Sequence, residues 1–101
     1  MYKHVVLWKL KESAQGMSKQ ELAEEVKKRL DELPAHIPEI KSYETGINIG
    51  DYGASFFDVS LISIFDTKDT FWKYTKYPVH DEVVAYISSV MEAEEIADYN
   101  D

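Results

Sequence analysis

Cysteine is absent from the 101 residues, so no disulfide can brace the chain and no thiolate can hold zinc. A reducing compartment suits such a chain, and a cytoplasmic location is expected. Long apolar runs are missing too, so no transmembrane helix and no membrane partner are expected. The opening MYKHVVLWKLK is too short in its apolar part, and too interrupted by lysine, for a secretory leader. Basic residues are scarce: 11 Lys and Arg against 19 Asp and Glu leave a net charge of −8. Binding to a phosphate backbone needs a positive surface, so nucleic acid is not an expected partner. Glycine is sparse, and Gly46, Gly50 and Gly53 match no phosphate loop.

The scarcity of positive charge is uneven. No Lys or Arg follows Lys76, whereas Asp81, Glu82, Glu92, Glu94, Glu95, Asp98 and Asp101 all do. The plain reading is a solvated acidic surface; a carboxylate site for a hard cation is the lesser alternative. His4, His36 and His80 are too scattered along the chain to count as a metal set. No metal and no cofactor are expected.

What is present is enough for one domain, residues 1–101, with one core: 45% of the residues are hydrophobic and 30% charged. Tyr2 to Lys11 reads as a strand with His4, Val6, Trp8 and Leu10 on one face and Val5 and Leu7 on the other. Ser18 and Glu21 form a capping box that predicts a helix with Leu22, Val26, Leu30 and Leu33 on its buried stripe, ended by Pro34. Lys41–Ile49 and Ser55–Phe65 predict two further strands around the turn residues Gly50-Asp51-Tyr52-Gly53. Asp66 or Thr67 can cap a short helix that ends at Tyr77. Pro78 or Val79 can start another, with Val83, Ile87, Val90 and Met91 buried. Ala93–Tyr99 predicts a last strand, against the helical preference of Glu94 and Glu95.

The order β-α-β-β-α-α-β predicts an α+β, ferredoxin-like fold with a four-stranded antiparallel sheet. Helices on one side leave the other side of the sheet bare, yet at least two strands carry apolar residues on both faces. A second copy is the simplest cover, so a homodimer with its sheets face to face is expected.

The segment YTKYPVH, Tyr74 to His80, carries the chemistry-bearing residues most densely. The proline junction can aim Tyr74 and His80 at one space. A histidine in a helix first turn is favoured as neutral imidazole, a potential base, and a phenol can donate to a carbonyl or enolate oxygen. Against this stands a plainer reading: Tyr74 packs in the core with its hydroxyl at the surface, and His80 caps a helix. His4 lies on the face of Trp8 and gains interest only if that face meets Tyr74 and His80. Asp98 can orient an imidazole if the last strand neighbours the first. Trp8 is read from its spacing as core.

KHVVLWKLK, YTKYPVH and the closing IADYN, in that order and spacing, resemble the stress-responsive dimeric α/β-barrel domain family over nearly the whole chain. The resemblance implies a dimeric α/β barrel made across the interface. One plant relative, olivetolic acid cyclase, closes a polyketide ring by intramolecular aldol condensation without a cofactor. By that resemblance His80 is a general base and Tyr74 orients the substrate, while His4 and Asp98 lie near the pocket. Tyr77 stands where a histidine commonly precedes the proline, which alters the pocket rim. His4, Asp98, Trp8 and Tyr77 are therefore the candidate ligand-binding residues beside the candidate catalytic pair. The function implied is a stress-response-type protein binding a small hydrophobic or phenolic molecule between sheet and helices, with acid/base chemistry as an option. The alternatives are a cofactor-free or haem-degrading monooxygenase of the related ferredoxin-like dimers, and a structural assembly protein with no ligand site.

Overall fold

A computed structural model describes residues 1–101. Strand β1 spans Tyr2–Leu10 and is followed by a short hairpin, β2 (Ser13–Ala14) and β3 (Met17–Ser18). Helix α1 spans Lys19–Asp31 and gives way to a single 3-10 turn at Leu33–Ala35. Then come β4 (Ser42–Ile47), β5 (Val59–Phe65), α2 (Lys68–Thr75), α3 (Pro78–Val90) and β6 (Met91–Asn100). The four long strands form one sheet in the order β4-β5-β1-β6, with every neighbouring pair antiparallel. This is the ferredoxin-like plan expected from the element order. No helix is long and apolar enough to cross a membrane.

The capping box forms as predicted: the Glu21 N–H donates to Ser18 Oγ at 3.2 Å, and the Ser18 N–H donates to Glu21 Oε1 at 3.0 Å. Thr67, not Asp66, caps α2, accepting from the Thr70 N–H at 3.1 Å. The β2–β3 hairpin is absent from the sequence expectation. Its turn, Gln15-Gly16, places both residues at positive φ (52° and 75°), the geometry that matches strand twist; Gln in the first position hides the usual Asn-Gly or Asp-Gly signal.

Strand ends shift for identifiable reasons. The third long strand begins at Val59 and not Ser55, because the Asp58 carboxylate takes the Leu10 N–H at 2.8 Å while its own N–H bonds Trp8 O. A side chain thus occupies a donor that a longer strand would have used. The last strand is longer than expected and follows α3 with no loop: Val90 ends the helix and Met91 is already extended, at φ −95° and ψ 153°. Pairing with β1 along its length overrides the helical preference of Glu94 and Glu95.

The core lies between one sheet face and the helices. Val6, Trp8, Leu10, Val59, Leu61 and Phe65 point from the sheet into Leu22, Val26, Leu30, Ile87 and Val90 of α1 and α3. The opposite face has no covering helix. Leu7, Ile62 and Tyr99 are exposed there, and Val5 and Ile64 are half-buried.

A cavity between the sheet and helices α2 and α3

β1 and β6 pair with His4 opposite Asp98, Val6 opposite Ile96 and Trp8 opposite Glu94. All six residues therefore lie on the helix-covered face, since side chains alternate along a strand and directly paired residues share a face. α2 and α3 meet above them. Between sheet and helices lies a cavity of about 210 Å³, walled mostly by apolar side chains such as Val6, Leu61, Phe71, Val83 and Ile87. The polar or titratable residues on its wall are His4, Trp8, Tyr74, Thr75, His80 and Glu94.

The break at Pro78 sets the position of His80. Tyr77 is extended (φ −70°, ψ 133°), as a residue before proline prefers, and α3 starts at Pro78. His80 then stands in the first turn, its N–H donating to Tyr77 O at 3.0 Å. Its ring meets the Tyr74 ring edge-on, with centroids 4.6 Å apart. His80 Nδ1 is buried without a hydrogen-bond partner; the nearest carboxylate, Asp81, lies 3.7 Å away. Burial pulls the His80 pKa below the usual histidine range, and the Asp81 carboxylate opposes that only in part. The imidazole is thus neutral at neutral pH, with a ring nitrogen unused.

Tyr74 is 2% exposed, and its hydroxyl lies 2.8 Å from that of Tyr43 on β4. The ring forms cavity wall, but the hydroxyl is neither at the surface nor unpaired. Burial pushes the Tyr74 phenol up to about 12 and that of Tyr43 higher still, so both stay protonated at neutral pH.

His4 is anchored differently. Its Nδ1 is 2.6 Å from Asp98 Oδ1, and the Tyr2 hydroxyl donates to Asp98 Oδ2, also at 2.6 Å. In a neutral ring whose Nδ1–H donates to the carboxylate, Nε2 would be an acceptor. Phe71 packs at a tilt against the His4 ring, with centroids 4.7 Å apart, and also contacts Tyr2, Phe65 and Tyr74. Asp98 supports His4 from behind and is not itself on the cavity wall.

Trp8 is buried, and its Nε1–H donates to Glu94 Oε2 at 2.8 Å. Tyr77 stands apart: its hydroxyl donates to Glu39 at 2.7 Å, and it is not on the cavity wall. The structure thus brings His4, Trp8, Tyr74 and His80 to one space, with Asp98 behind them and Tyr77 outside. Sequence reasoning missed Glu94. The signal was available: once His4 is set opposite Asp98, antiparallel pairing places Glu94 opposite Trp8. No group of three or more His, Asp or Glu side chains converges as a metal site would require. A larger depression, about 390 Å³, lies beside α1 and α3, lined largely by charged residues including Glu25, Lys28, Arg29 and Glu82.

Residues 2–101 match the family described as the stress responsive A/B barrel domain. The chain belongs to that family. Among solved structures, a dimeric protein of unknown function and ferredoxin-like fold from Bacteroides fragilis is similar at 28% identity. The match covers 97% of this chain and 93% of that one, with a TM-score of 0.83. A hydroxynitrile lyase from Passiflora edulis is similar at 19% identity, over 97% and 90% of the two chains, with a TM-score of 0.81. An antibiotic biosynthesis monooxygenase is similar at 13% identity, over 100% and 98%, with a TM-score of 0.74. The last two likenesses concern the fold alone. No curated protein matches the chain.

Proposed function

We propose that this A/B barrel domain works as a homodimer and binds a small, largely apolar molecule carrying a phenol or carbonyl oxygen. The observation that carries this reading is His80: a cavity-wall residue with a buried, unpartnered ring nitrogen, in a cavity that is mostly apolar. A few polar groups converging in an apolar pocket are the usual form of a ligand site. At about 210 Å³ the space is smaller than a drug-sized pocket, which favours a single-ring ligand.

His80 then serves as general base, accepting a proton from the bound molecule. Tyr74 orients the ligand oxygen. When the Tyr43 hydroxyl is the donor of their shared hydrogen bond, the Tyr74 proton is free for the ligand. His4, held by Asp98, offers a second acceptor at Nε2. Two enzymes of this fold, a lyase and a monooxygenase by name, make a reaction at such a site reasonable to test. The monooxygenase supports a second reading, cofactor-free oxidation of a quinol-like ring with dioxygen as the oxidant; haem is too large for the cavity as formed. A cytoplasmic setting belongs to this reading, supported by the absence of cysteine.

The dimer rests on the uncovered sheet face and on the dimeric state named for the Bacteroides fragilis protein. Multi-angle light scattering is expected to give twice the chain mass at micromolar concentration; a stable monomer overturns that part. The site is tested by titrating para-ethylphenol into labelled protein and following amide and ring NMR signals. Shifts centred on His4, Tyr74 and His80, weakened in His80→Ala, are expected. Shifts absent, or confined to the outer faces of α1 and α3, overturn it.

A further inference from the structure

Resting on the reading that the cavity holds a small molecule, we infer that Glu94 selects the far end of that molecule, favouring a hydrogen-bond donor and above all an ammonium group. The cavity has two polar ends. One carries His4, Tyr74 and His80. The other carries the Trp8–Glu94 pair, four residues further along both strands, or about 13 Å at the rise of a β-strand. Val6 and Ile96 stand between them, so the middle of the wall on this side is apolar.

Glu94 is half used. The Trp8 indole N–H fixes one carboxylate oxygen at 2.8 Å and so holds the side chain in place. The other oxygen has no side-chain or backbone donor, and none of the ion pairs in the chain includes Glu94. An ionised carboxylate accepts hydrogen bonds and donates none. A donor or cation at that end of a ligand would complete it, whereas a second carboxylate would be repelled. Ligands that share one oxygen head meet the histidine end, the His4–Asp98 pair included, in the same way. Charge selection therefore falls to Glu94. A fitting ligand has an aromatic or aliphatic body, an oxygen for the histidines, and an amine or hydroxyl at the opposite end.

Three probes sharing one phenol head test this: tyramine, para-ethylphenol and para-hydroxyphenylpropionate. Each is titrated into the full chain while the Trp8 indole N–H signal is followed by NMR. Tyramine is expected to bind about five-fold more tightly than para-ethylphenol, and the propionate more weakly than either, as an exposed charge contact allows. Glu94→Gln keeps an acceptor for Trp8 but removes the charge. It should bring the three affinities within about two-fold of one another. Equal binding of the three by the natural chain, or an order that survives Glu94→Gln, overturns this inference and leaves the cavity reading standing. Failure of all three to bind overturns both.

Discussion

The two faces of the central sheet are built from the same strands and differ in almost everything else. On one, Val6, Trp8, Leu61 and Phe65 are each no more than 5% exposed. On the other, Leu7 and Ile62 stand more than a third exposed, and Tyr99 about half. The residues are no less greasy; they lack a roof. Because side chains alternate, neighbours such as Val6 and Leu7 experience opposite environments. The covered face makes the fold and the cavity. The uncovered face is available for a second copy.

The largest expected effect comes from placing the same charge on adjacent residues. Val6→Asp buries an unpaired carboxylate and should cost at least about 4 kcal/mol, a large part of the stability of a domain this size. Urea denaturation with circular dichroism would read it. Leu7→Asp should leave that signal near the natural value and instead shift the chain to monomer in sedimentation velocity. If Leu7→Asp unfolds the chain as Val6→Asp does, the contrast between the faces is lost.

A smaller effect sharpens the covered side. His80 in the folded chain has a pKa below the unfolded value of about 6.5. Below about pH 6.5 the unfolded chain binds a proton that the folded one still refuses, so acid favours unfolding. Stability from this source is intact above that pH. It falls as pH drops toward the folded value, by no more than about 1.4 kcal/mol per unit. Urea midpoints of the natural chain and His80→Gln, compared from pH 7.5 to 5, should diverge in the window below 6.5, with the variant flatter. Parallel curves would show that the ring is wet.

The smallest effect concerns Tyr74. Tyr74→Phe keeps the ring packed against Phe65, Phe71 and His80 and removes only the hydroxyl paired with Tyr43. About 1 kcal/mol should be lost in thermal or urea unfolding. If para-ethylphenol binding also weakens beyond two-fold, the hydroxyl reaches the ligand as well as Tyr43; unchanged binding would restrict Tyr74 to wall and support.

Legibility followed the range of the forces involved. Ser18 and Glu21 are three residues apart and the capping box needs nothing beyond them, so α1 could be placed from its first turn. Pro78 acts on its own neighbour, and α3 starts there as expected, although α2 stops at Thr75, short of the expected end at Tyr77. The start of β5 could not be read, because it depends on Asp58 reaching Leu10, which is 48 positions away. Tyr43 gave no sign of its part either: its link to Tyr74 crosses from an edge strand to a helix. Glu94 was hidden by its own helical preference, which only pairing with β1 overrules.

By itself, the order of residues set the periods, caps and breaks that make β-α-β-β-α-α-β, and the alternation that gives the sheet two greasy faces. Those are local matters of spacing and backbone geometry. Only the packed molecule decided which side chains share the cavity, that His80 loses its water and its partner there, and that Glu94 meets Trp8. Such outcomes depend on which distant segments press together and on how much water that contact expels, and no short window of the chain contains that information.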